Sequence, residues 1–191
     1  MNKELHLKTK QGLYWTTSLK IIYEIFRFGI SIIVARILSP NDFGIMAIGA
    51  MVIYYTNSLS DFGFNNALVQ KKIIDKVHIN SVFTLNLGIS VILTLFILTL
   101  APGIARYFNS EESGKVLMLL SSVFILRTLH DIPESIMRRA VDFKFLSILN
   151  FTQSITQSLL VLTLALSGFK YWSLVWAHIL SLFLATVVLL Y

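Results

Sequence analysis

The chain has 191 residues, of which 55% are hydrophobic and 14% charged, and its net charge is +6. Soluble domains carry about 25% charged residues and disordered chains need low hydrophobicity, so the composition excludes a disordered chain and argues against a soluble domain. Because the chain contains no cysteine, it has no disulfide, thiolate metal site or cysteine nucleophile.

Long apolar segments predict helices that cross a membrane. A spanning helix needs about 20 mostly apolar residues. Four segments of this kind contain no charged residue, namely 43–60, 77–105, 145–169 and 171–191. Near-continuous apolar runs such as 89–98 differ from the alternating strands of membrane barrels. With two charge-interrupted segments added, the sequence predicts an all-α polytopic fold with six transmembrane helices, at about 13–38, 43–62, 79–101, 116–132, 147–168 and 171–191.

Three prolines mark predicted helix ends. Pro40 lies in a tight turn at 39–42, where Asn41 or Asp42 can cap the following helix. Pro102 is expected to end the third helix, and Pro133 to end or kink the fourth. The segment 133–145 then reads as a basic amphipathic helix on the inner membrane surface, with a plain cytoplasmic loop as the alternative.

The lysines and arginines between the predicted helices and near their ends favour one orientation, with both termini in the cytoplasm. With the N-terminus inside, nine cations lie on the inner side: Lys3, Lys8, Lys10, Lys71, Lys72, Lys76, Arg138, Arg139 and Lys144. Four lie on the outer side: Arg36, Arg106, Lys115 and Lys170. The apolar stretch at the start is too long and too charged for a cleavable signal peptide, so it is expected to remain as the first helix.

The first predicted helix carries a cationic stripe, formed by Lys20, Glu24, Arg27 and Ser31. Spacings of four, three and four put these residues on one face. A charge at the bilayer centre costs about 2.5–3.5 kcal/mol and usually faces a bundle interior or a water-filled cavity. The stripe can therefore line a path for an anionic substrate, with Glu24 as a candidate for ion coupling. The structural alternative is a salt bridge of Glu24 with Lys20 or Arg27 that only orients the helix.

Two later helices also carry polar faces. Arg127, His130 and Asp131 share a face, although the last two can lie at the membrane interface instead. On the fifth helix, amides and hydroxyls can bind sugar hydroxyls or bridge helices for about 0.6 kcal/mol each. These side chains are Asn150, Gln153, Ser154 and Gln157. Four glycines are expected to permit close helix contact or bending: Gly29, Gly44, Gly49 and Gly88.

No known catalytic motif is present in the sequence. It contains no zinc-protease helix, no nucleophile elbow, no phosphate loop and no dinucleotide fingerprint. The solitary His78 and His178 do not form a metal site, because such a site needs several convergent ligands. We therefore expect no catalytic residue, no cofactor and no metal, and a protein that is not an enzyme.

Three segments together resemble a known family. They are 35–47 (ARILSPNDFGIMA), 60–72 (SDFGFNNALVQKK) and 138–145 (RRAVDFKF). In this order and on six helices, they resemble bacterial polysaccharide exporters. These are the flippases for O-antigen, teichuronic acid and other exopolysaccharide repeat units, within the multidrug/oligosaccharidyl-lipid/polysaccharide exporter superfamily.

The resemblance implies a fold with two six-helix lobes, 12 or more helices in all, around a central cavity. This chain is similar to an N-terminal lobe alone, a fragment or a truncated form, so its partner is a missing C-terminal lobe or a separate lobe. The implied function is translocation of undecaprenyl-diphosphate-linked oligosaccharide across the cytoplasmic membrane during lipopolysaccharide or exopolysaccharide synthesis. Polysaccharide polymerase and glycosyltransferases are the implied protein partners, and membrane lipid surrounds the helices; no nucleic acid is expected.

Residue roles follow if that resemblance holds. Lys20, Arg27 and Arg127 are candidates for contacts with the diphosphate headgroup, and Glu24 for ion coupling. Asn150, Gln153 and Gln157 are candidates for sugar contacts. Alternatives are an exporter of drugs or other lipids from the same superfamily, or a non-catalytic membrane assembly subunit. A membrane-embedded glycosyl polymerase is disfavoured, because the outer loop at 102–115 is too short for a catalytic domain.

Overall fold

The structure, a computed structural model, describes residues 21–60, 75–140 and 143–190, and this part of the chain is helical without strands. Helix α1 covers the described residues 21–37. The helices after it are α2 (Pro40–Ser60), α3 (Lys76–Tyr107), α4 (Glu111–Leu120), α5 (Ser122–Arg139), α6 (Phe143–Leu166) and α7 (Tyr171–Leu190). Residues 13–20 and 61–62 of the predicted first two helices lie outside the described residues.

Four stretches of the described chain are long and apolar enough to cross a membrane. They are Val77–Tyr107, Glu111–Arg139, Phe145–Leu166 and Tyr171–Leu190. The second contains both α4 and α5, which are separated only by a break at Ser121. Helices of this kind satisfy their own backbone hydrogen bonds, as hydrocarbon requires. The chain is therefore an all-α, polytopic membrane protein.

Helices α4 and α5 lie at the centre of a bundle. Helix α4 packs against α3, α2 and α7, and α5 packs against α3, α7 and α6. The apolar core contains side chains from α2, α3, α4, α5 and α7. Its buried members are Ile45, Ile53, Ile97, Ala101, Val116, Leu117, Leu120, Val123, Phe124, Val175, Ile179 and Leu182.

Two glycines allow α4 to approach its neighbours closely. A Cβ atom added at Gly49 of α2 would lie 2.9 Å from Val116 Cγ1, so the predicted close contact is confirmed at this glycine, whereas a Cβ at Gly29, Gly44 or Gly88 would meet nothing within 4 Å. A Cβ at Gly114 of α4 would lie 2.9 Å from the Cβ of Ala105 on α3. Gly114 was not among the predicted contact glycines. Small residues at helix crossings are the usual means of close packing in membranes, where lipid is as apolar as a leucine side chain.

Buried hydroxyl groups join α3 to α4 and α5. The Ser90 and Thr128 hydroxyls lie 2.6 Å apart, and either can donate. Thr94 Oγ1 lies 2.8 Å from the carbonyl oxygen of Ser90 and 3.1 Å from that of Ser121, at the break between α4 and α5, so its one hydrogen is shared between the two carbonyls. The Ser121 carbonyl therefore has a partner on another helix, which reduces the cost of the break.

Helix α1 is attached to this bundle through its C-terminal half. Ile30, Val34 and Leu38 are buried against Ala165. Val161 and Leu162 of α6 and Leu174 of α7 complete this second apolar cluster. By contrast, every described residue from 21 to 29 is exposed except Tyr23, which is half-buried.

The prolines do not end the helices as predicted. Helix α3 continues through Pro102 to Tyr107, and α5 continues through Pro133 to Arg139, so a helix end at either proline is wrong, and the alternative of a kink at Pro133 stays a prediction. Pro133–Arg139 consequently belongs to α5 and is not part of a separate interfacial helix. Proline is tolerated inside membrane helices because neighbouring groups can satisfy the carbonyl that it leaves without a donor.

The turn between α1 and α2 also differs from the prediction. Pro40 is the first residue of α2, where its missing N–H is not needed, and the cap is Ser39 rather than Asn41 or Asp42. The Asp42 amide donates to Ser39 Oγ over 3.3 Å. In return, the Ser39 amide donates to Asp42 Oδ2 over 2.9 Å. This reciprocal pair is a capping box in which aspartate replaces the usual glutamate.

Candidate functional site

The described part of the cationic stripe contains an exposed ion pair. Arg27 Nη1 lies 3.6 Å from Glu24 Oε2, and their side chains are 60% and 51% exposed. The Ser31 hydroxyl donates to the carbonyl of Phe28 on its own helix over 2.8 Å. Lys20 lies outside the described residues. Exposed pairs of this type contribute roughly 0–1 kcal/mol, so helix stability alone does not account for two charges at this position.

The buried residues of α1 show which side of the helix carries the stripe. Arg27 precedes Ile30 by three positions and Val34 by seven, spacings that keep all three on one side of a helix. Ile30 and Val34 contact the α6–α7 side of the bundle. Arg27 therefore continues the packing row of α1 into the half of the helix where the row is exposed.

Helix α6 carries amide side chains along the row that contacts α1. Its C-terminal half contacts α1 through Val161, Leu162 and Ala165. Gln157 and Gln153 precede Val161 by four and eight positions, so they continue this contact row toward the start of α6. Both glutamines are half-buried.

Asn150 is exposed and Ser158 is buried, on the same side of α6. The Ser158 hydroxyl donates to the Ser154 carbonyl over 3.0 Å, so it is satisfied within α6. The contacting halves of α1 and α6 are thus apolar, and their N-terminal halves carry charged and amide groups along the same rows.

Helix α5 carries a second charged row, formed by Arg127, His130, Asp131, Glu134 and Arg138. Arg127 is exposed. Arg138 Nη2 lies 2.8 Å from Glu134 Oε1. Within the described part of the chain, no ion pair or hydrogen bond joins Arg127 to α1. The structure therefore does not bring Arg127 and Arg27 together by direct contact.

The sequence prediction does not include Glu134 and Arg138 in this charged row, because it places a helix end at Pro133. A spacing signal for them was available, since Glu134 follows Asp131 by three positions and Arg138 follows Glu134 by four. If the helix is continued through Pro133, the face that carries Arg127 and Asp131 also contains both residues.

The turn between α1 and α2 is tied to α7 by one carboxylate. The Tyr171 amide, at the start of α7, donates to Asp42 Oδ1 over 3.2 Å. Burial alone would raise the pKa of Asp42. The hydrogen bonds from Ser39 and Tyr171, together with the positive charge of Lys170, reverse that effect and hold the Asp42 pKa below its ordinary value.

These features define a polytopic helical membrane protein with charged side chains in the N-terminal half of α1 and amide side chains in the N-terminal half of α6. The chain belongs to the polysaccharide biosynthesis protein family, because the family model of that description matches residues 33–191.

Three curated relatives are similar to this chain. An uncharacterized membrane protein in the cps region of Klebsiella pneumoniae is 24% identical over 97% of the chain and 38% of its own length. The succinoglycan biosynthesis transport protein ExoT of Rhizobium meliloti is 28% identical over 74% of the chain and 29% of its length. The lipopolysaccharide biosynthesis protein WzxC of Escherichia coli is 24% identical over 73% of the chain and 28% of its own length.

The chain thus spans well under half the length of each of these relatives. No solved structure matches it at a significant level.

Proposed function

We propose that the chain forms the N-terminal lobe of a transporter that moves lipid-linked oligosaccharide repeat units across the bacterial cytoplasmic membrane. Membership of the polysaccharide biosynthesis family supports this proposal. One relative is named as a transport protein for succinoglycan biosynthesis, and another as a lipopolysaccharide biosynthesis protein. In this role the protein is a carrier rather than an enzyme. It acts in surface-polysaccharide synthesis after the glycosyltransferases and before the polymerase.

The observation that carries the proposal is the exposed Glu24–Arg27 pair on the packing row of α1. A sugar chain in hydrocarbon would lose hydrogen bonds to water, at several kcal/mol for each unpaired polar group. A hydrated groove with cationic and amide walls lowers that cost, while the lipid tail stays in the bilayer. The N-terminal halves of α1 and α6 have side chains suited to two such walls.

In this proposal the carrier lipid is undecaprenyl diphosphate, whose negative charge matches the net positive stripe of α1. Lys20 and Arg27 bind the diphosphate, and Arg127 adds positive charge from α5. Asn150, Gln153 and Gln157 contact the sugars. Glu24, between two cations, is the candidate group for ion coupling.

A second lobe completes the cavity in this scheme. Rocking of the two lobes opens the cavity first to the cytoplasm and then to the outside, as in other transporters built from paired repeats. Both ends of this chain then lie in the cytoplasm, the side on which the repeat unit is assembled.

The test is Arg27→Gln in the complete coding sequence, expressed in the producing bacterium. We expect surface polysaccharide to fall about tenfold or more and lipid-linked repeat units to accumulate inside. Loss of one hydrogen bond to a charged group costs about 1.5–3 kcal/mol, and about 1.4 kcal/mol corresponds to a factor of ten. Polysaccharide is measured by immunoblot and normalised to the amount of transporter in the membrane.

The matched control is Arg36→Gln. Arg36 is an exposed cation on the same helix, nine positions from Arg27 and on the opposite side. We expect export to be unchanged in this variant. Normal export by Arg27→Gln at normal protein level would contradict the proposal, and so would equal losses in both variants.

A further inference from the structure

Helix α5 brings together three groups that can bind a metal ion. One imidazole nitrogen of His130 and one carboxylate oxygen each of Asp131 and Glu134 lie within 4.8 Å of one another. His130 is buried, and the two acids are half-buried. Glu134 follows His130 by four positions and therefore lies on the same side of α5, and a carboxylate oxygen of Asp131 also lies within this distance. We propose that this cluster binds a divalent first-row cation of the zinc or manganese class.

The imidazole is oriented from α7. Thr186 Oγ1 lies 3.4 Å from His130 Nδ1, and it donates its own hydrogen to the Leu182 carbonyl over 2.8 Å. Because that hydrogen is already used, Thr186 can only accept from His130, which places the imidazole proton on Nδ1. Nε2 then keeps its lone pair. Metal-binding histidines have this arrangement, with one nitrogen on the ion and the other donating to a protein group.

The Glu134 carboxylate is oriented in a comparable way. Arg138 donates from Nε over 3.2 Å and from Nη2 over 2.8 Å, and both hydrogen bonds fall on Oε1. Oε2 has no hydrogen-bond partner within the described part of the chain. Arg138 therefore fixes the carboxylate and leaves one oxygen for a ligand. His130 and Glu134 thus each have a supporting residue outside the cluster.

The ligand set selects the kind of ion. One imidazole and two carboxylates suit zinc or manganese, and three protein ligands with a bound water are common for zinc. Calcium prefers six to eight oxygen ligands, which this cluster does not provide. Zinc ligands lie about 2.0–2.2 Å from the ion, so the cluster has to contract by roughly 1 Å on binding. Small shifts of the Asp131 side chain and of Glu134 Oε2 can supply that movement, while Arg138 stays on Oε1.

Zinc binding by the full chain in detergent micelles tests the proposal. Zn²⁺ is titrated in competition with a chromophoric chelator, and Co²⁺ serves as a spectroscopic probe of coordination. We expect one ion per chain, no displacement by excess Ca²⁺, and at least tenfold weaker affinity for both Asp131→Asn and Glu134→Gln. Thr186→Val tests a positioning role, with about tenfold weaker binding and an altered Co²⁺ spectrum.

The control is Glu112→Gln, which removes an exposed carboxylate in the first turn of α4. Its zinc affinity should match that of the unchanged chain. Equal affinity in Asp131→Asn, Glu134→Gln and the unchanged chain would overturn the proposal, as would an unchanged chain that is folded by circular dichroism and binds no stoichiometric zinc. The measurement involves no transport, so its outcome is independent of the proposed export function.

Discussion

Helix α1 and the bundle of α2–α5 and α7 are stabilised in different ways. In the bundle, Leu117 and Val175 are fully buried, and Gly49 and Gly114 bring backbones close together. Helix α1 buries one row in its C-terminal half, and its other half is exposed. The charges of α1 lie in the exposed half, whereas in the core the polar groups are mainly hydroxyls with partners.

Stability and the proposed binding function therefore depend on different residues. A charge placed in the bundle would need a partner or would cost several kcal/mol. In the N-terminal half of α1, charged side chains disturb no packing among the residues that the structure describes. We therefore expect core substitutions to change stability strongly, and substitutions in that half of α1 to change it little.

The largest expected effect is that of Leu117→Ala in α4. Leu117 is fully buried in the core, and its truncation leaves a cavity. Leucine-to-alanine changes in cores cost about 2–5 kcal/mol. We expect the low end of that range, because lipid is as apolar as leucine and packing is the main loss. The free energy of unfolding is measured by denaturant titration in micelles, followed by circular dichroism.

The comparison variant is Ile25→Ala in α1, where the native side chain is 69% exposed. Its expected cost is below about 0.5 kcal/mol. A cost similar to that of Leu117→Ala would show that the N-terminal half of α1 is packed as tightly as the core, and the contrast between the two regions would fail.

A smaller loss of stability is expected for Gly114→Ala. The new Cβ would lie 2.9 Å from Ala105 Cβ and 3.4 Å from the carbonyl oxygen of Ala101. Neither atom belongs to a flexible side chain, so α3 and α4 have to move apart. Overpacking of this kind costs about 1–3 kcal/mol. The loss is measured as a lower midpoint of thermal unfolding in micelles.

Gly103→Ala is the matched control for that substitution. Gly103 is also helical, but a Cβ there meets nothing within 4 Å. Since alanine favours helix over glycine by up to about 1 kcal/mol, this variant should be unchanged or slightly more stable. Equal destabilisation by both substitutions would indicate that close packing at Gly114 is not the cause.

The sequence predicts the helices better than it predicts their ends. Apolar runs of membrane-spanning length indicate helices whatever their neighbours are, whereas the effect of a proline depends on its surroundings. A proline costs about 3 kcal/mol in the interior of a soluble helix. At Pro102 the adjacent Ala101 is fully buried under the α3–α4 contact, and this packing favours continuation of α3. Tertiary contacts of this kind cannot be read from local sequence.

The candidate site shows the same limit. Helical spacing correctly predicted that Glu24 could pair with Arg27, because both residues lie on one helix. It could not show that Arg27 continues the row that packs on α6, since this depends on which half of α1 is in contact. The Thr186 support for His130 joins residues 56 positions apart, beyond any local pattern.

The smallest expected effect concerns Asp42, which links the end of α1 to α7. Asp42→Asn should cost about 1 kcal/mol, because the amide accepts fewer and weaker hydrogen bonds from Ser39 and Tyr171.

The pKa of Asp42 is lowered from 3.8 on folding. The stability that its charge contributes is therefore present above about pH 4 and is lost as the pH falls through the lowered pKa. Thermal unfolding between pH 3 and 6 in a non-ionic detergent measures this slope, which should be shallower in Asp42→Asn than in the unchanged chain. A slope that is unchanged in Asp42→Asn would show that this carboxylate does not stabilise the contact between the α1–α2 turn and α7.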